Sequence, residues 1–295
     1  MTNQATATEV KLTPGECDLT IHLDKRMIEE IGRLILPCTD KSEYANELLK
    51  CVNFKLTAPS EAKYGYKLEV AATDGSRLAH TTYTVNRFGA HEADFNIPGE
   101  ALKLLTSKKK SELSDGALIA LDLTAKAFQI RLNNLTIVAT GQLETREYLR
   151  YFELFPKDYK QSVTITRYGS HTPIERLVET LKQIEKASYK PETKKDNAKH
   201  GIATLNFSAN EKTPYHAEVT VGMVHDLFNC SSTLLINDDE YITDRIKIAF
   251  CSKFLIEALN HDGWVTMHYN GELKPAVFTY CGSNVRLLLM PIQVR

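Results

Sequence analysis

Apolar residues recur at helical spacing in two long segments of the chain. In Asp24–Ile35 the isoleucines and leucines fall on one face, and charged residues occupy the others. Asp24 suits the N-cap position of this helix, and Pro37 follows where the helix should end. Thr172–Ala187 has the same periodicity and begins with the Thr-Pro-Ile-Glu pattern of a capped helix. The pattern therefore predicts one long amphipathic helix in each half of the chain.

Two shorter helical patterns, residues 97–109 and 250–263, each follow a strand-like segment and precede further strands. A hairpin with a type I′ turn is predicted at Asp74-Gly75. Further hairpin turns are predicted at Asn133-Asn134, Asn270-Gly271 and Gly282-Ser283-Asn284. The long helix, the short helix and the final hairpin each recur after about 150 residues, which indicates an internal duplication.

Two segments stand apart from the repeated pattern. Arg146–Ser162 is rich in aromatic residues, so we expect a packed connector between the halves. Tyr189–Gly201 is rich in lysine and poor in apolar residues, which is typical of an exposed loop. The length of 295 residues agrees with two globular domains joined in this way.

Charge and cysteine usage narrow the class of protein. Lys and Arg number 36 and Asp and Glu 37, so a uniformly basic nucleic-acid-binding body is disfavoured, although a local basic surface is compatible with this balance. The six cysteines have no C-x-x-C or zinc-ligand spacing, as expected of reduced thiols in the cytoplasm. The N-terminus lacks the pattern of a signal peptide, and no apolar run approaches the roughly 20 residues of a membrane span. We therefore expect a cytoplasmic protein without membrane association.

No catalytic constellation can be assembled from the sequence. The chain has no nucleophile elbow, no phosphate-binding glycine loop and no H-E-x-x-H motif. The histidines are scattered, and His80 and His225 are more typical of core or surface positions than of a catalytic base. The acidic run Asp238-Asp239-Glu240 fits an exposed loop better than a cation site. We predict no catalytic residue, no metal, no cofactor and no enzymatic activity.

Four segments, in chain order, carry a resemblance to a known family. They are LEVAATDGSRLA, FNIPGEALKLL, IKIAFCSKFLIEALN and PAVFTYCGSNVRLLLMPIQVR. Together they resemble the bacterial DNA polymerase III beta subunit, the replicative sliding clamp, in its T-D-G-[HS]-R-L turn and its final M-P motif. The sequence departs from the family pattern at Ser76, at Cys251, and at Val294 with the additional Arg295.

The resemblance implies an α+β fold of duplicated DNA-clamp domains, each with two helices packed on antiparallel β-sheets. It covers roughly residues 18–295 and corresponds to the middle and last of the family's three domains. The implied organisation is an N-terminal tail (1–17), a middle-type domain (18–146), a connector (147–162) and a last-type domain (163–295). The family's first domain has no expected counterpart in this sequence.

The resemblance also implies a ring that encloses double-stranded DNA and slides along it. Helices line the inside of such a ring, and their basic side chains neutralise phosphates without reading bases. For each of these side chains, an ordinary solvated helix face is the alternative. The candidates in this sequence are Lys25, Arg26, Arg33, Lys103, Lys108, Lys109, Lys110, Arg176, Lys182, Lys186 and Lys253.

A second implied site is a hydrophobic pocket between the two domains that holds short peptides of polymerases and other partners. Leucine, methionine, proline and isoleucine suit an adaptable apolar slot, and Arg77 is expected to hydrogen-bond the peptide backbone at its rim. The alternative for Leu288 and Met290 is an ordinary role in the core. The matching positions are Leu49, Thr73, Gly75, Arg77, Leu78, Leu149, Leu154, Pro275, Leu288, Met290, Pro291 and Ile292.

The implied partners are therefore DNA, polymerases and other clamp-binding peptides, and a clamp loader. Because the family's ring has six domains, two domains per chain predict a homotrimer. The sequence leaves open a different class of protein, a clamp-derived adaptor or regulator that binds peptides without encircling DNA.

Overall fold

A computed structural model of the protein describes most of the chain. Several of the sequence-based predictions fall outside the described part: most of the tail, Lys110, the Asn133-Asn134 turn, Thr172, the 189–200 loop, His225 and the Asp238–Glu240 run. The described residues are 17–58, 65–89, 92–109, 111–132, 136–165, 173–188, 201–209, 216–223, 232–237 and 246–293.

The chain divides into two compact units. Unit 1 comprises residues 1–75 and 79–149, and unit 2 comprises Ser76–Leu78 together with residues 150–295. Three residues after the Asp74-Gly75 turn therefore belong with the second half of the chain, although the strand that they begin continues in unit 1.

Unit 1 consists of two antiparallel sheets and two short helices. Its strand orders are β5-β1-β7-β8-β9 and β4-β3-β2-β6. In chain order the elements are β1 (Leu19–Leu23), α1 (Lys25–Glu30), β2 (Cys51–Thr57), β3 (Tyr66–Thr73), β4 (Arg77–Val85), β5 (Arg87–Gly89), β6 (Ala93–Pro98), α2 (Gly99–Thr106), β7 (Ala117–Asp122), β8 (Ala127–Leu132) and β9 (Ile137–Gln142).

Unit 2 repeats this arrangement. Its strand orders are β10-β15-β16-β17 and β13-β12-β11-β14, with antiparallel pairing throughout. The elements are β10 (Gln161–Ile165), α3 (Pro173–Ser188), β11 (Ile202–Ala209), β12 (His216–Met223), β13 (Ser232–Asn237), β14 (Ile246–Cys251), α4 (Ser252–Ala258), β15 (Val265–Tyr269), β16 (Ala276–Tyr280) and β17 (Arg286–Leu289).

The two units share one order of elements. Each begins with a strand and a helix, continues with three strands that pair in sequence, and then has a strand that leads directly into a second helix and three final strands. The short strand β5 of unit 1 has no counterpart among the described strands of unit 2. This repetition confirms the predicted α+β class with antiparallel sheets, and it supports the duplication that was predicted from the spacing of the helices.

The first predicted helix is less regular than its periodicity suggests. Asp24 caps it, because the Asp24 carboxylate accepts a hydrogen bond from the Met27 backbone N–H at 2.8 Å. The α-helix ends at Glu30, and a π-helical turn, Ile31–Ile35, follows it. Gly32 lies in that turn, where a Cβ would come within 2.8 Å of the Thr106 side chain at the end of α2. Close packing of α2 therefore accounts for a glycine at this position.

The Asp74-Gly75 hairpin is present, but its turn is not type I′. That turn requires positive φ at both central residues, whereas Gly75 has φ +86° and Asp74 does not have positive φ. The loop also includes Ser76, because β3 ends at Thr73 and β4 begins at Arg77. The Thr73 hydroxyl accepts a hydrogen bond from the Gly75 N–H at 3.1 Å and braces the turn.

The core of each unit lies between its helices and sheets. In α3 the side chains of Ile174, Leu177, Leu181 and Ile184 are buried, as the predicted stripe requires. None of the described helices is long and apolar enough to cross a membrane. Within the described residues, no group of three or more His, Cys, Asp or Glu side chains is placed to hold a metal ion.

Candidate functional site

Backbone hydrogen bonds hold the segment after the last strand of unit 2 at both of its ends. Met290 donates its N–H to the Ser76 carbonyl at 3.0 Å, and Ile292 donates to the Ala249 carbonyl at 2.7 Å. Pro291, between them, has no N–H to donate. We call Met290–Ile292 the terminal segment. It leaves the Met290 side chain 44% exposed and those of Pro291 and Ile292 half-buried, so it presents apolar surface on a fixed backbone.

Arg77 has a different environment from the one predicted. Its side chain is only 5% exposed, its guanidinium forms an ion pair with Glu257, and it lies 4.1 Å from the centre of the Phe254 ring. A buried guanidinium requires a carboxylate and further contacts, which Glu257 and Phe254 of α4 supply. In this structure Arg77 fastens Ser76–Leu78 to α4, and its hydrogen bond to a peptide backbone at a pocket rim stays a prediction.

The other predicted pocket residues of unit 2 separate into core and surface positions. Leu288 is buried, as its alternative role in the core requires, and Leu78 is buried as well, whereas Met290 is exposed. Pro275 is half-buried directly before β16. Leu154 is exposed at the end of a 3₁₀ turn, Tyr151–Leu154. Surface available to a ligand within unit 2 therefore comes from Leu154 and the terminal segment more than from Leu78 or Leu288.

The unit 1 candidates have equally mixed environments. Thr73 is buried and donates its N–H to the Tyr148 hydroxyl at 3.2 Å, whereas Gly75 is exposed at the turn. Burial raises the pKa of the Tyr148 phenol, which keeps it neutral. Leu49 is half-buried and Leu149 is exposed. Thr73 therefore has a structural role in unit 1, and Leu149 is the candidate there with the most available apolar surface.

Sequence reasoning missed Phe254 and Glu257 as partners of Arg77. The two residues are three positions apart, and such residues share one face of a helix. That spacing, an aromatic ring followed by a carboxylate, was the available signal, but nothing in the local sequence indicates that an arginine 180 positions earlier in the chain meets it.

Phe152 was also missed. It is exposed in the same 3₁₀ turn as Leu154, and its ring meets the Tyr151 ring edge-on at 6.2 Å. Tyr151 itself is buried, as are Tyr148 and Phe155. Between these buried rings, Leu149, Phe152 and Leu154 are exposed.

The basic candidates of unit 1 lie on or directly after the helices, as predicted. Lys25, Lys108 and Arg33 are half-buried, and Lys109 is exposed. The two remaining described bases have acidic partners. Arg26 pairs with Glu30 at 3.1 Å, and Lys103 pairs with Glu100 at 3.5 Å.

The Arg26 pair differs from the Lys103 pair because its acid is buried. Glu30 is only slightly exposed and accepts a hydrogen bond from the Tyr83 hydroxyl at 2.9 Å. Burial, and then the nearby Glu30 carboxylate, raise the pKa of the Tyr83 phenol, so Tyr83 remains a hydrogen-bond donor. Part of the Arg26 charge therefore compensates a buried carboxylate within unit 1.

In unit 2, Arg176, Lys182 and Lys186 are exposed on α3, and Lys253 is half-buried on α4. Together, α1, the π-helical turn, α2, α3 and α4 contain eight basic and seven acidic residues. The helices therefore carry nearly balanced charge, which is less positive than a surface built to hold phosphates tightly.

This duplicated architecture is the fold of the DNA sliding clamps. No family model and no curated protein sequence matches the chain. Several bacterial sliding clamps of known structure are similar to it. The Helicobacter pylori beta clamp bound to a DNA ligase peptide has a TM-score of 0.70 and 17% identity, over 96% of this chain and 68% of that chain.

Two further clamps give the same result. The Bacillus subtilis DNA polymerase sliding clamp has a TM-score of 0.69 and 16% identity, over 97% of this chain and 68% of that chain. The beta subunit from the DNA polymerase of Streptococcus pyogenes has a TM-score of 0.71 and 14% identity, over 98% of this chain and 69% of that chain. At these identities the likeness establishes the fold, and function requires an argument from the site.

Proposed function

We propose that this protein is a sliding-clamp-like processivity factor that encircles duplex DNA and docks partner peptides. The observation that carries the proposal is the duplicated clamp fold, shared with bacterial sliding clamps over nearly the whole chain. We infer no catalytic step, because enclosing DNA and tethering a polymerase require only shape, charge and a docking surface.

The helices supply the DNA-facing part of the proposal. Their bases are long, mostly exposed lysines and arginines, which contact phosphates without reading sequence. Nearly balanced charge suits a sliding ring, because each phosphate contact adds to the electrostatic attraction that resists movement along DNA. In this proposal the weak contacts with phosphates come from Lys25, Arg26, Arg33, Lys103, Lys108, Lys109, Lys110, Arg176, Lys182, Lys186 and Lys253.

The terminal segment supplies the docking part. Met290 is exposed and flexible, and it stands next to Pro291 and Ile292 on a backbone held by two hydrogen bonds. Such a surface can accept apolar peptide side chains without first ordering itself, which reduces the entropic cost of binding. We include Leu154 in the docking surface as an exposed apolar candidate of the same unit, and we assign Leu78 and Leu288 to supporting it from the core.

Retention on circular DNA tests the proposal directly. The protein is diluted, mixed with a nicked circular plasmid, concentrated, and separated from unbound protein by gel filtration. The plasmid is then cut once, and a parallel sample carries a bulky protein block on both new ends. A DNA-encircling clamp should remain on the circle, leave the cut DNA, and remain on the cut and blocked DNA.

Retention that does not respond to cutting would show ordinary surface binding and contradict encirclement. Absence from the circle, in a protein that still binds a partner peptide, would favour the adaptor that the sequence left open.

A further inference from the structure

Within unit 2, α4 holds the short segment that supports the terminal segment. Glu257 and Phe254 project from α4 onto the Arg77 guanidinium, which is almost completely buried. Arg77 follows Ser76, whose carbonyl accepts the Met290 N–H at 3.0 Å. One continuous set of contacts therefore leads from Glu257 through Arg77 and Ser76 to Met290.

The beginning of α4 is itself fixed. The Glu185 carboxylate accepts hydrogen bonds from the Ser252 hydroxyl and, at 3.1 Å, from the Gly201 N–H. Ser252 is fully buried at the first position of α4. Because α4 is anchored at this end, Glu257 offers Arg77 a rigid partner, and Arg77 in turn fixes where the Ser76 carbonyl lies.

We propose that Glu257 is a positioning residue for the peptide-docking surface, an inference that rests on the docking function proposed above. Its carboxylate neutralises a guanidinium that has left water, and so keeps Ser76–Leu78 seated on α4. Without that charge, Arg77 gains by turning toward solvent, and the Ser76 carbonyl moves with it. The terminal segment then loses one of its two backbone anchors, and Met290 occupies a wider range of orientations.

Substitution of Glu257 tests this directly. Glu257→Gln keeps the size of the side chain and removes its charge, and Glu272→Gln, in an exposed loop of the same unit, is the matched control. The probe is a fluorescent form of the DNA ligase peptide that the H. pylori beta clamp binds. We expect Glu257→Gln to raise the Kd about tenfold, which is an effect of the size that coupling between contacting residues produces. Glu272→Gln should leave the Kd within about twofold of the wild-type value.

A second variant separates positioning from loss of fold. Arg77→Lys retains a charge for Glu257 but lacks the planar group that stacks on Phe254, so we expect an intermediate rise in Kd.

Combining Glu257→Gln with Met290→Ala should weaken binding no further than Met290→Ala alone, because both changes act through Met290. Fully additive losses would contradict the proposal.

Methyl NMR reports the position of Met290 without any peptide. In protein labelled with ¹³C-methyl methionine, Glu257→Gln should shift the Met290 signal and leave that of Met27, in unit 1, in place. The Met290→Ala variant assigns the signal. An unchanged Met290 signal and an unchanged Kd, at equal melting temperature, would overturn the inference. A wild-type protein that does not bind the probe would instead count against the docking function, while the NMR shift would still decide the role of Glu257.

Discussion

At the scale of single residues, substitution of Met290 is the most direct test of the docking proposal. Its backbone is fixed by Ser76, yet nearly half of its side chain is accessible. Methionine is flexible and polarizable, so it adapts to different partner side chains. An exposed methionine on a fixed backbone contributes little to folding and much to a ligand that covers it.

Met290→Ala should therefore weaken binding of the DNA ligase peptide by about five- to tenfold, since part of a side chain worth about 1.5–3 kcal/mol when fully buried would be lost. The midpoint of urea unfolding should hardly change, because surface substitutions usually shift stability by about 0.5 kcal/mol or less. Fluorescence anisotropy gives the first quantity and circular dichroism the second.

Leu104→Ala, which removes an exposed leucine from α2, is the control. Equal effects of the two substitutions on the Kd would remove the terminal segment from the docking surface.

Individual residues were also the hardest feature to predict from sequence. The T-D-G-S-R-L match drew attention to Arg77, but it did not indicate that the guanidinium is buried against Glu257 and Phe254, because burial depends on what α4 places opposite it. Gly75 shows the same limit: a D-G pair favours a hairpin, whereas the precise turn depends on the residues that flank it, here Thr73 and Ser76.

At the scale of elements, periodicity predicted the long helices well and their ends less well. The apolar stripe of α3 is buried as expected, because a stripe at helical spacing has no other way to leave water. The first helix changes to a π-helical turn at Ile31, where Gly32 meets α2. Contacts between elements decide such details, and local sequence does not contain them.

Charge on α2 gives a prediction at this scale. Lys103 pairs with Glu100 on the helix surface, and both side chains are largely exposed, so the pair itself contributes only about 0–1 kcal/mol to stability. Glu100→Gln should release Lys103 for phosphate contact. Binding to duplex DNA at low salt should then tighten about two- to fivefold, and the slope of log K against log salt should become steeper by up to about 0.9.

Titrations of fluorescent duplex DNA at several salt concentrations measure both effects. Lys103→Gln should act in the opposite direction, and Glu43→Gln, in an exposed loop of unit 1, is the neutral-site control. If Glu100→Gln and Glu43→Gln change the affinity for duplex DNA equally, α2 is not a preferred site of DNA contact.

At the scale of the whole molecule, the duplication was predictable because the spacing of helices and turns survives divergence better than residue identity does. The strands β9 and β13 each end a sheet. Strand edges expose unpaired backbone groups, and proteins protect them by pairing or covering. We propose that copies of the chain cover these edges for one another.

A ring of six such units requires three copies of a two-unit chain. Multi-angle light scattering at micromolar concentration should therefore give a mass about three times the 33.3 kDa of one chain. Ile137→Lys places a charge at an exposed apolar position of β9 and should lower that mass toward a single chain. Leu104→Lys, on α2, should leave it unchanged. A wild-type protein that stays monomeric at high concentration would contradict the three-copy ring, and Ile137→Lys without effect would place the interface elsewhere than β9.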